Sequence, residues 1–331
     1  MDPEISIIVT AHDRKEFLAD ALMSISKQTC DPGRYQVIVV KNFEDQDSDR
    51  IIEANGFISL KCVGDLEDKI LMALDYCNGE IVTFLEDDDL YAHTRNERII
   101  HIFNEYSEIS FYRNSLIEID QYGRKNGKNH HPQVRRSVFL ESNQIGSVLP
   151  YLIANNVDFS TGCIAIRKNV LMENQELFRS YTSVSSKFTD SLYFLFALRS
   201  GTSVFLDSSP QTYVRRHDSM SVRISGNIQE ATAFRARFTE EFIRLYRHIQ
   251  KTDQMNRICS RYISLKLARA ELEYSVISGR ERIRILWELK HFLKLVGKPQ
   301  GKYDILLSVA SIASALSSSM GRIIFNRILG L

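Results

Sequence analysis

Four acids in a row, Glu86, Asp87, Asp88 and Asp89, close the apolar run Ile81 to Leu85 and precede Leu90 and Tyr91. Adjacent like charges repel, and carboxylates at the end of a buried segment lose solvation unless cations or hydrogen-bond donors compensate them. Hard oxygen donors of this kind suit Mg²⁺ or Mn²⁺, with water and phosphate oxygens completing an octahedral shell. Such a cation would neutralise the acids and clamp a diphosphate, stabilising the charge that develops when a nucleotide leaves. A solvated acidic turn is the plainer alternative. Three further segments carry residue types able to share in this chemistry: "TAHDR" (Thr10 to Arg14), "FTDSLYFLFALRSG" with Asp190, and "TYVRRHDSMS" with Arg215, Arg216 and His217.

The elements that must position these groups follow from periodicity. Up to about residue 90, short β-rich runs alternate with helical patterns: "ISIIV", Lys15 to Lys27, "YQVIVV", Asp47 to Ala54, "FISLKCV", Leu66 to Cys77 and "IVTFL". That alternation predicts a parallel sheet covered by helices. Ligands of such sheets bind at the carboxyl ends of the strands, so "TAHDR" and the four acids should share one rim. Beyond Asp89 the pattern is more mixed, with a helix near Arg95 to Tyr106, a strand-like "ISFYRNSLIEID", and a polar loop from Gly123 to Pro132. His130 and His131 lie in that loop; adjacent side chains diverge, so the pair reads as solvent-exposed rather than metal-binding. From about Asn227 the chain turns helical. Ala231, Phe234, Phe238, Phe242, Leu245 and Ile249 recur at helical spacing as a core stripe, and helices over Met255 to Ser278 and Arg280 to Leu295 follow.

Composition narrows the class. With 331 residues, 44% hydrophobic and 25% charged, the chain has length for one large domain and an appendage. Its 42 basic and 41 acidic side chains nearly cancel, so no global field points to nucleic acid as a partner. Five widely spaced cysteines without a Cys-x-x-Cys pair argue against a disulfide framework or a zinc site and fit a reducing cytoplasm. The opening "MDPEISIIVT" lacks a basic n-region and a cleavage signal. The expected location is therefore cytoplasmic, with peripheral contact at the membrane face resting on the tail. There, Ile305, Val309, Ile312, Leu316, Met320 and Ile323 form one stripe, and Arg322 and Arg327 stand nearby. The segment is too rich in serine to read as a spanning helix, but an interfacial helix fits, as does a helix docked on its own domain or on a homodimer mate.

Two stretches resemble a known family. "ISIIVTAHDRKEFLADALMSISKQT" looks like the opening of the family 2 glycosyltransferases, usually Pro-Thr-Tyr-Asn-Arg, then Leu, then Ser and Gln-Thr. "CNGEIVTFLEDDDL" is similar to that family's Ala-x-Gly-Glu, strand and Asp-x-Asp-Asp segment. The resemblance extends over about residues 4 to 220. It implies a GT-A fold, a Rossmann-like, mostly parallel α/β sheet flanked by helices, over residues 1–225. A helical C-terminal region over 226–331 would follow, with the tail at about 302–331. It also implies an inverting, metal-dependent transfer of sugar from a UDP- or GDP-sugar to a glycan or polyprenyl-linked acceptor.

Carried over residue by residue, the resemblance puts Thr10, Ala11, His12 and Arg14 around the nucleotide, joined by Asp68 and Asp87. Glu86 and Asp88 fall on the two acids of the Asp-x-Asp motif, with Asp88 as direct ligand of Mn²⁺ or Mg²⁺ and Asp89 beside it. Asp190 matches an acid that heads a helix facing the acceptor, as catalytic base; a helix N-cap is the equal alternative. His217 would approach the metal or diphosphate and Arg215 the phosphates. Two departures stand out. Glu86 replaces the usual first aspartate, and "VVKNFED" lacks the common Asp-Asp-Gly-Ser, which leaves Asn42 to meet the base. One rival is a sugar-nucleotide nucleotidyltransferase, which would usually show a glycine-rich basic loop after the first strand, whereas "TAHDRKEF" has no glycine. The other is a non-catalytic sugar-binding or membrane-scaffolding protein on the same fold.

Overall fold

Ile5 to Val9 and Ile81 to Leu85 are buried without alternation, the mark of strands covered by helices on both faces. They lie in a computed structural model that describes residues 2–125, 134–217 and 228–317, together with 321 and 324. His130, His131 and the end of the tail stripe, with Met320, Arg322, Ile323 and Arg327, lie outside the described residues.

The chain runs β1 (Ile5–Thr10), α1 (Leu18–Ser26), β2 (Tyr35–Lys41), α2 (Gln46–Ala54), β3 (Ile58–Lys61), α3 (Leu66–Leu74) and β4 (Ile81–Glu86). The four strands pair in the order β3-β2-β1-β4, and they run parallel, as the alternation predicts. Next come β5 (Leu90–Tyr91), α4 (Arg95–Glu105), β6 (Ile109–Ile119), β7 (Val138–Leu140), α5 (Ser142–Ala154) and β8 (Ile164–Arg167). The remainder is α6 (Lys168–Glu173), α7 (Gln175–Thr182), α8 (Thr189–Ser200), β9 (Ser203–Arg215), α9 (Ile228–Thr252), α10 (Arg257–Ser278), α11 (Arg282–Val296) and α12 (Lys302–Leu316). In this half β8 lies antiparallel to both β4 and β6, and β9 runs parallel to β6 while pairing antiparallel with β5 and β7. The sheet is therefore mixed, parallel on the side that builds the rim.

The chain divides into two compact units, Met1–Gln144 with Val157–His217, and Ile145–Asn156 with Asp218–Leu331. In the first unit, the register Ile5↔Ile81 through Thr10↔Glu86 sets where the acids emerge. Gly79 sets that register: a Cβ there would lie 2.6 Å from the Ile5 carbonyl carbon, and its N–H donates to Ser6 Oγ at 2.9 Å. Farther along, buried Asp207 of β9 accepts from Arg98 Nε at 2.9 Å, the Ser209 N–H at 3.0 Å, Ser137 Oγ at 2.9 Å and Tyr112 OH at 3.0 Å. Burial pushes its carboxyl up, but the donors led by Arg98 outweigh it and hold the group below the usual aspartate value.

In the second unit, α9 carries the predicted aromatic stripe, with Ala231, Leu245 and Ile249 buried and Phe234, Phe238 and Phe242 half-buried. Glu273 of α10 ties three helices together. It accepts from Thr239 Oγ1 at 3.0 Å and Arg235 Nη2 at 3.1 Å on α9, and from Tyr303 OH at 2.6 Å on α12. Ile145, Leu149, Leu152 and Ile153 of α5 are buried, and the Ile153 carbonyl accepts from Arg269 Nη1 at 2.9 Å.

Two tests follow from the first unit. Gly79→Ala drives a methyl into backbone that cannot yield and should cost about 1–3 kcal/mol, as overpacking does; an unchanged melting temperature would refute the close approach. Asp207→Asn should cost roughly 1–3 kcal/mol near neutral pH, where the carboxylate is ionised and Arg98 depends on it. A depressed folded pKa gives stability that is present above the unfolded aspartate value of about 4 and lost as pH falls through the folded one. Urea midpoints of variant and wild type should therefore converge in acid, and a gap that stays constant with pH would count against the assignment.

Candidate active site

Thr10 and Glu86 end adjacent parallel strands in register, so the loop after β1 and the acidic turn after β4 open on one rim. In the first loop Ala11 is buried, its N–H donating to the Val40 carbonyl at 3.0 Å, and His12 is exposed. Asp13 follows at φ 56°, a left-handed conformation that Asn and Asp tolerate best after Gly. The Asp13 N–H donates to Asn42 Oδ1 at 2.9 Å while Asn42 Nδ2 donates to Asp13 Oδ1 at 2.7 Å. Asn42 thus locks the loop that presents Arg14.

Arg14 supplies the positive charge that the acidic turn requires. Its guanidinium forms an ion pair with Asp87 through Nη2 and also lies 2.8 Å from Asp88 Oδ2. Burial works against this cation, but Asp87 and Asp88 more than offset it and hold the guanidinium above its ordinary pKa. His217 Nε2 lies 2.9 Å from Asp88 Oδ2 and 3.3 Å from Arg14 Nη1. Arg215 braces the turn from the end of β9. Its N–H donates to Asp89 Oδ1 at 3.0 Å, Nε to the Asp88 carbonyl at 2.9 Å, Nη1 to the Gln121 carbonyl at 2.8 Å and Nη2 to Asp20 Oδ2 at 3.1 Å. The Phe17 ring fills the space between, 4.5 Å from the Arg215 guanidinium and 5.0 Å from the His217 ring. Arg216 points elsewhere, paired with buried Glu118 at 3.2 Å.

Negative charge still exceeds this compensation. Desolvation and repulsion from Asp88 and Glu86 push the Asp89 carboxyl well up, and desolvation pushes Asp87 up to about 6 despite Arg14. The Glu86 side chain is open to solvent, yet desolvation of its carboxyl among these neighbours and repulsion from Asp88, Asp190 and Asp87 push it up to about 8. Carboxylate oxygens of Glu86, Asp88 and Asp89 lie within 4.8 Å of one another. Three hard donors so close, carrying more charge than their protein partners neutralise, fit an ion such as Mn²⁺ or Mg²⁺.

Asp190, at the start of α8, is near enough to Glu86 for the two carboxyls to repel. The residue capping that helix is Phe188, without a side-chain cap bond. Asp190 instead accepts from the Ser160 N–H at 3.0 Å through Oδ2 and from the Ser191 N–H at 2.8 Å through Oδ1. Ser160 has φ 68°, a conformation unusual for serine, held at the hydrogen bond to Asp190. Asp68 is exposed in the first turn of α3, folded against the Gly64 backbone.

The structure thus brings Arg14, Glu86, Asp87, Asp88, Asp89, Arg215 and His217 together, with Asp190 close enough to repel Glu86. Thr10, Ala11, His12 and Asn42 line the same rim. Several site residues escaped the sequence reading. Lys69 is buried, its Nζ 2.6 Å from His12 Nδ1 and 2.8 Å from the Gly64 carbonyl, and desolvation lowers its pKa. Its position on the apolar face of "LEDKILMAL" was the available signal. Phe17, just before α1, and Asp20, within it, carry none. Arg113 of β6 is buried with no hydrogen-bond partner for any guanidinium nitrogen among the described residues, and desolvation lowers its pKa despite Asp158 and Asp190 nearby.

A family model described as glycosyl transferase family 2 matches residues 6–174. Among solved structures, S. aureus TarS 1-349 aligns with a TM-score of 0.57 at 15% identity, over 99% of this chain and 92% of that one. The mannosyltransferase PcManGT from Pyrobaculum calidifontis, in complex with GDP-Man and Mn²⁺, aligns with a TM-score of 0.54 at 12% identity, over 99% of this chain and 87% of that one. A longer S. aureus TarS structure gives 0.57 at 13% identity over 97% of this chain, which spans only 54% of that protein. At such identities the likeness shows the fold, which is GT-A. No curated protein matches the sequence.

Replacing Asp88 by Asn keeps the shape but removes one ligand charge. The variant should bind Mn²⁺ roughly tenfold more weakly or worse, because affinity follows ligand charge, as read by electron paramagnetic resonance of free Mn²⁺. Equal affinity in both proteins would dismiss the acidic turn as a cation site.

Proposed function

The chain belongs to glycosyl transferase family 2, and we propose that it moves a sugar from a nucleoside-diphosphate donor to an acceptor hydroxyl with inversion at the anomeric carbon. The observation that carries this reading is that two kinds of acid stand within electrostatic reach of each other. Glu86, Asp88 and Asp89 converge at the end of β4, and Asp190, held by Ser160 and Ser191, is near enough to repel Glu86.

Thr10, Ala11, His12, Asn42 and Asp68 take the nucleoside side of the rim, with Lys69 fixing the His12 ring through Nδ1. Arg14, Arg215 and His217 lie where the diphosphate would approach, and Asp87 holds Arg14 in place. A Mn²⁺ or Mg²⁺ ion held by Asp88 with Glu86 and Asp89 would supply positive charge for the departing diphosphate. The acceptor hydroxyl attacks the anomeric carbon as the bond from that carbon to the diphosphate oxygen breaks, and the bonding pair leaves with the nucleotide. Asp190 accepts the hydroxyl proton. Backbone N–H donors to both of its oxygens favour the carboxylate and fix its direction, and the start of a helix adds to that preference. The structural relatives were seen with UDP, UDP-GlcNAc and GDP-Man, which makes UDP- and GDP-sugars the donors to try first. A glycan or a polyprenyl-linked sugar would be the acceptor, and the hydroxyl chemistry is the same for both.

Asp190→Asn should leave donor binding nearly intact while cutting turnover by roughly 10² to 10⁴, the span for loss of general-base assistance. Donor affinity by calorimetry and single-turnover rates separate the two effects. Wild-type chemistry in a folded variant would remove Asp190 from the reaction and leave it a loop anchor for Ser160.

A further inference from the structure

Helices α11 and α12 pack on each other and on α10, yet each turns a second apolar face outward. Along α12, Asp304, Leu307, Ala310, Ser311 and Ser314 are buried, whereas Ile305, Val309, Ile312 and Leu316 are exposed. At 3.6 residues per turn these four fall on one stripe opposite the packed side. Along α11, Ile285, Leu289 and Phe292 are buried, while Ile283, Leu286 and Trp287 stand out, Ile283 at 82% and Trp287 at 63% exposure. A packed helix that also bears apolar residues on its outer face leaves them in water unless something covers them.

The charges around these faces say what could. Arg282, Lys290, Lys294, Lys298 and Lys302 are exposed, and Lys290 and Lys294 continue the outer face of α11. Between residues 281 and 304, Glu281 is the one exposed acid. Glu288 is buried and paired with Arg284 at 3.1 Å, and Asp304 is buried against Arg269 at 3.3 Å. A second copy docking face to face would set one basic rim against another with almost no acid to answer it. An anionic lipid surface meets both features, taking the apolar side chains between its headgroups and the lysines onto its phosphates. Tryptophan suits that boundary, where its ring is buried and its N–H stays hydrated. Among the described residues no helix is long and apolar enough to cross a membrane, so the helices would lie along the surface.

We propose that the outer faces of α11 and α12 dock this protein on an anionic phospholipid bilayer. The docking surface goes beyond the transfer reaction and stands whether or not the acceptor is lipid-linked.

Trp287 is the single tryptophan of the chain and reports the event directly. Full-length protein is titrated with vesicles of phosphatidylcholine and phosphatidylglycerol, and with vesicles of phosphatidylcholine alone. The mixed vesicles should shift Trp287 emission to the blue, brominated acyl chains should quench it, and raised salt should weaken the binding. The double variant Ile283→Ser, Ile312→Ser, altered only at exposed positions, should lose about tenfold or more in vesicle affinity. Its melting temperature and nucleotide-diphosphate binding should match wild type, which keeps this outcome separate from the fate of the transferase reading. The proposal falls if anionic vesicles leave the emission unchanged, if neutral vesicles bind as well, or if the variant binds as tightly as wild type. It also falls if the blue shift arises without lipid and grows with protein concentration, which would assign the face to a second copy.

Discussion

Carboxylates crowded at the end of a buried strand are the constraint around which the first unit is arranged. β4 delivers exposed Glu86 and, after it, three buried aspartates to the end of the strand, and like charges at that spacing demand an answer. The chain gives a partial one with two arginines used differently. Arg14, from the loop after β1, meets the carboxylates of Asp87 and Asp88 directly. Arg215, from the end of β9, binds the backbone carbonyl of Asp88 and lends its N–H to Asp89. One arginine balances charge; the other fixes the shape of the turn. What those arginines leave unanswered shows at Glu86 and Asp89, whose carboxyls desolvation and mutual repulsion push up.

The same strand that ends in Arg215 also ties the mixed half of the sheet together. β9 pairs with β6 along its length, with β7 near Leu206 and with β5 near Tyr213. Asp207, in its middle, gathers Arg98, Tyr112 and Ser137 from three other segments. A strand pinned at its middle and at its end can hold Arg215 at a fixed distance from the acids. The rigidity of the site thus begins in a buried ion pair that touches no substrate.

Much of this was legible in the residues. The strands β1, β2 and β4 were plain because burial on both faces gives continuous apolar runs, and their parallel direction follows from the alternation with helices, though the order in which they pair does not. The rim position of "TAHDR" and of the acids followed from that parallel direction, which puts both at carboxyl ends of strands. Antiparallel β8 was not legible, since "CIAIR" looks the same whichever way its neighbours run. Nor were the partners of the acids: Arg14 was expected on the nucleotide, and its pairing with Asp87 and Asp88 joins residues far apart in the chain. Asp190 was open between base and cap, and its bond to Ser160 depends on a left-handed serine that no residue type announces. Lys69 could have been found, because a lysine on the apolar face of a helix must have a reason to be there.

The segment Ile145–Asn156 lies in the middle of the chain but belongs to the C-terminal helical unit. Its buried Ile145, Leu149, Leu152 and Ile153 are part of that unit's interior, and Arg269 closes on its end. The backbone therefore passes between the two units more than once, and no single cut divides the gene into two parts that each carry a whole core. A shuffled exon or a grafted catalytic half would inherit an orphan helix with nothing to bury it. Such wiring makes the two units heritable only together, so a lineage can tune the helical unit by point substitution far more readily than by exchange.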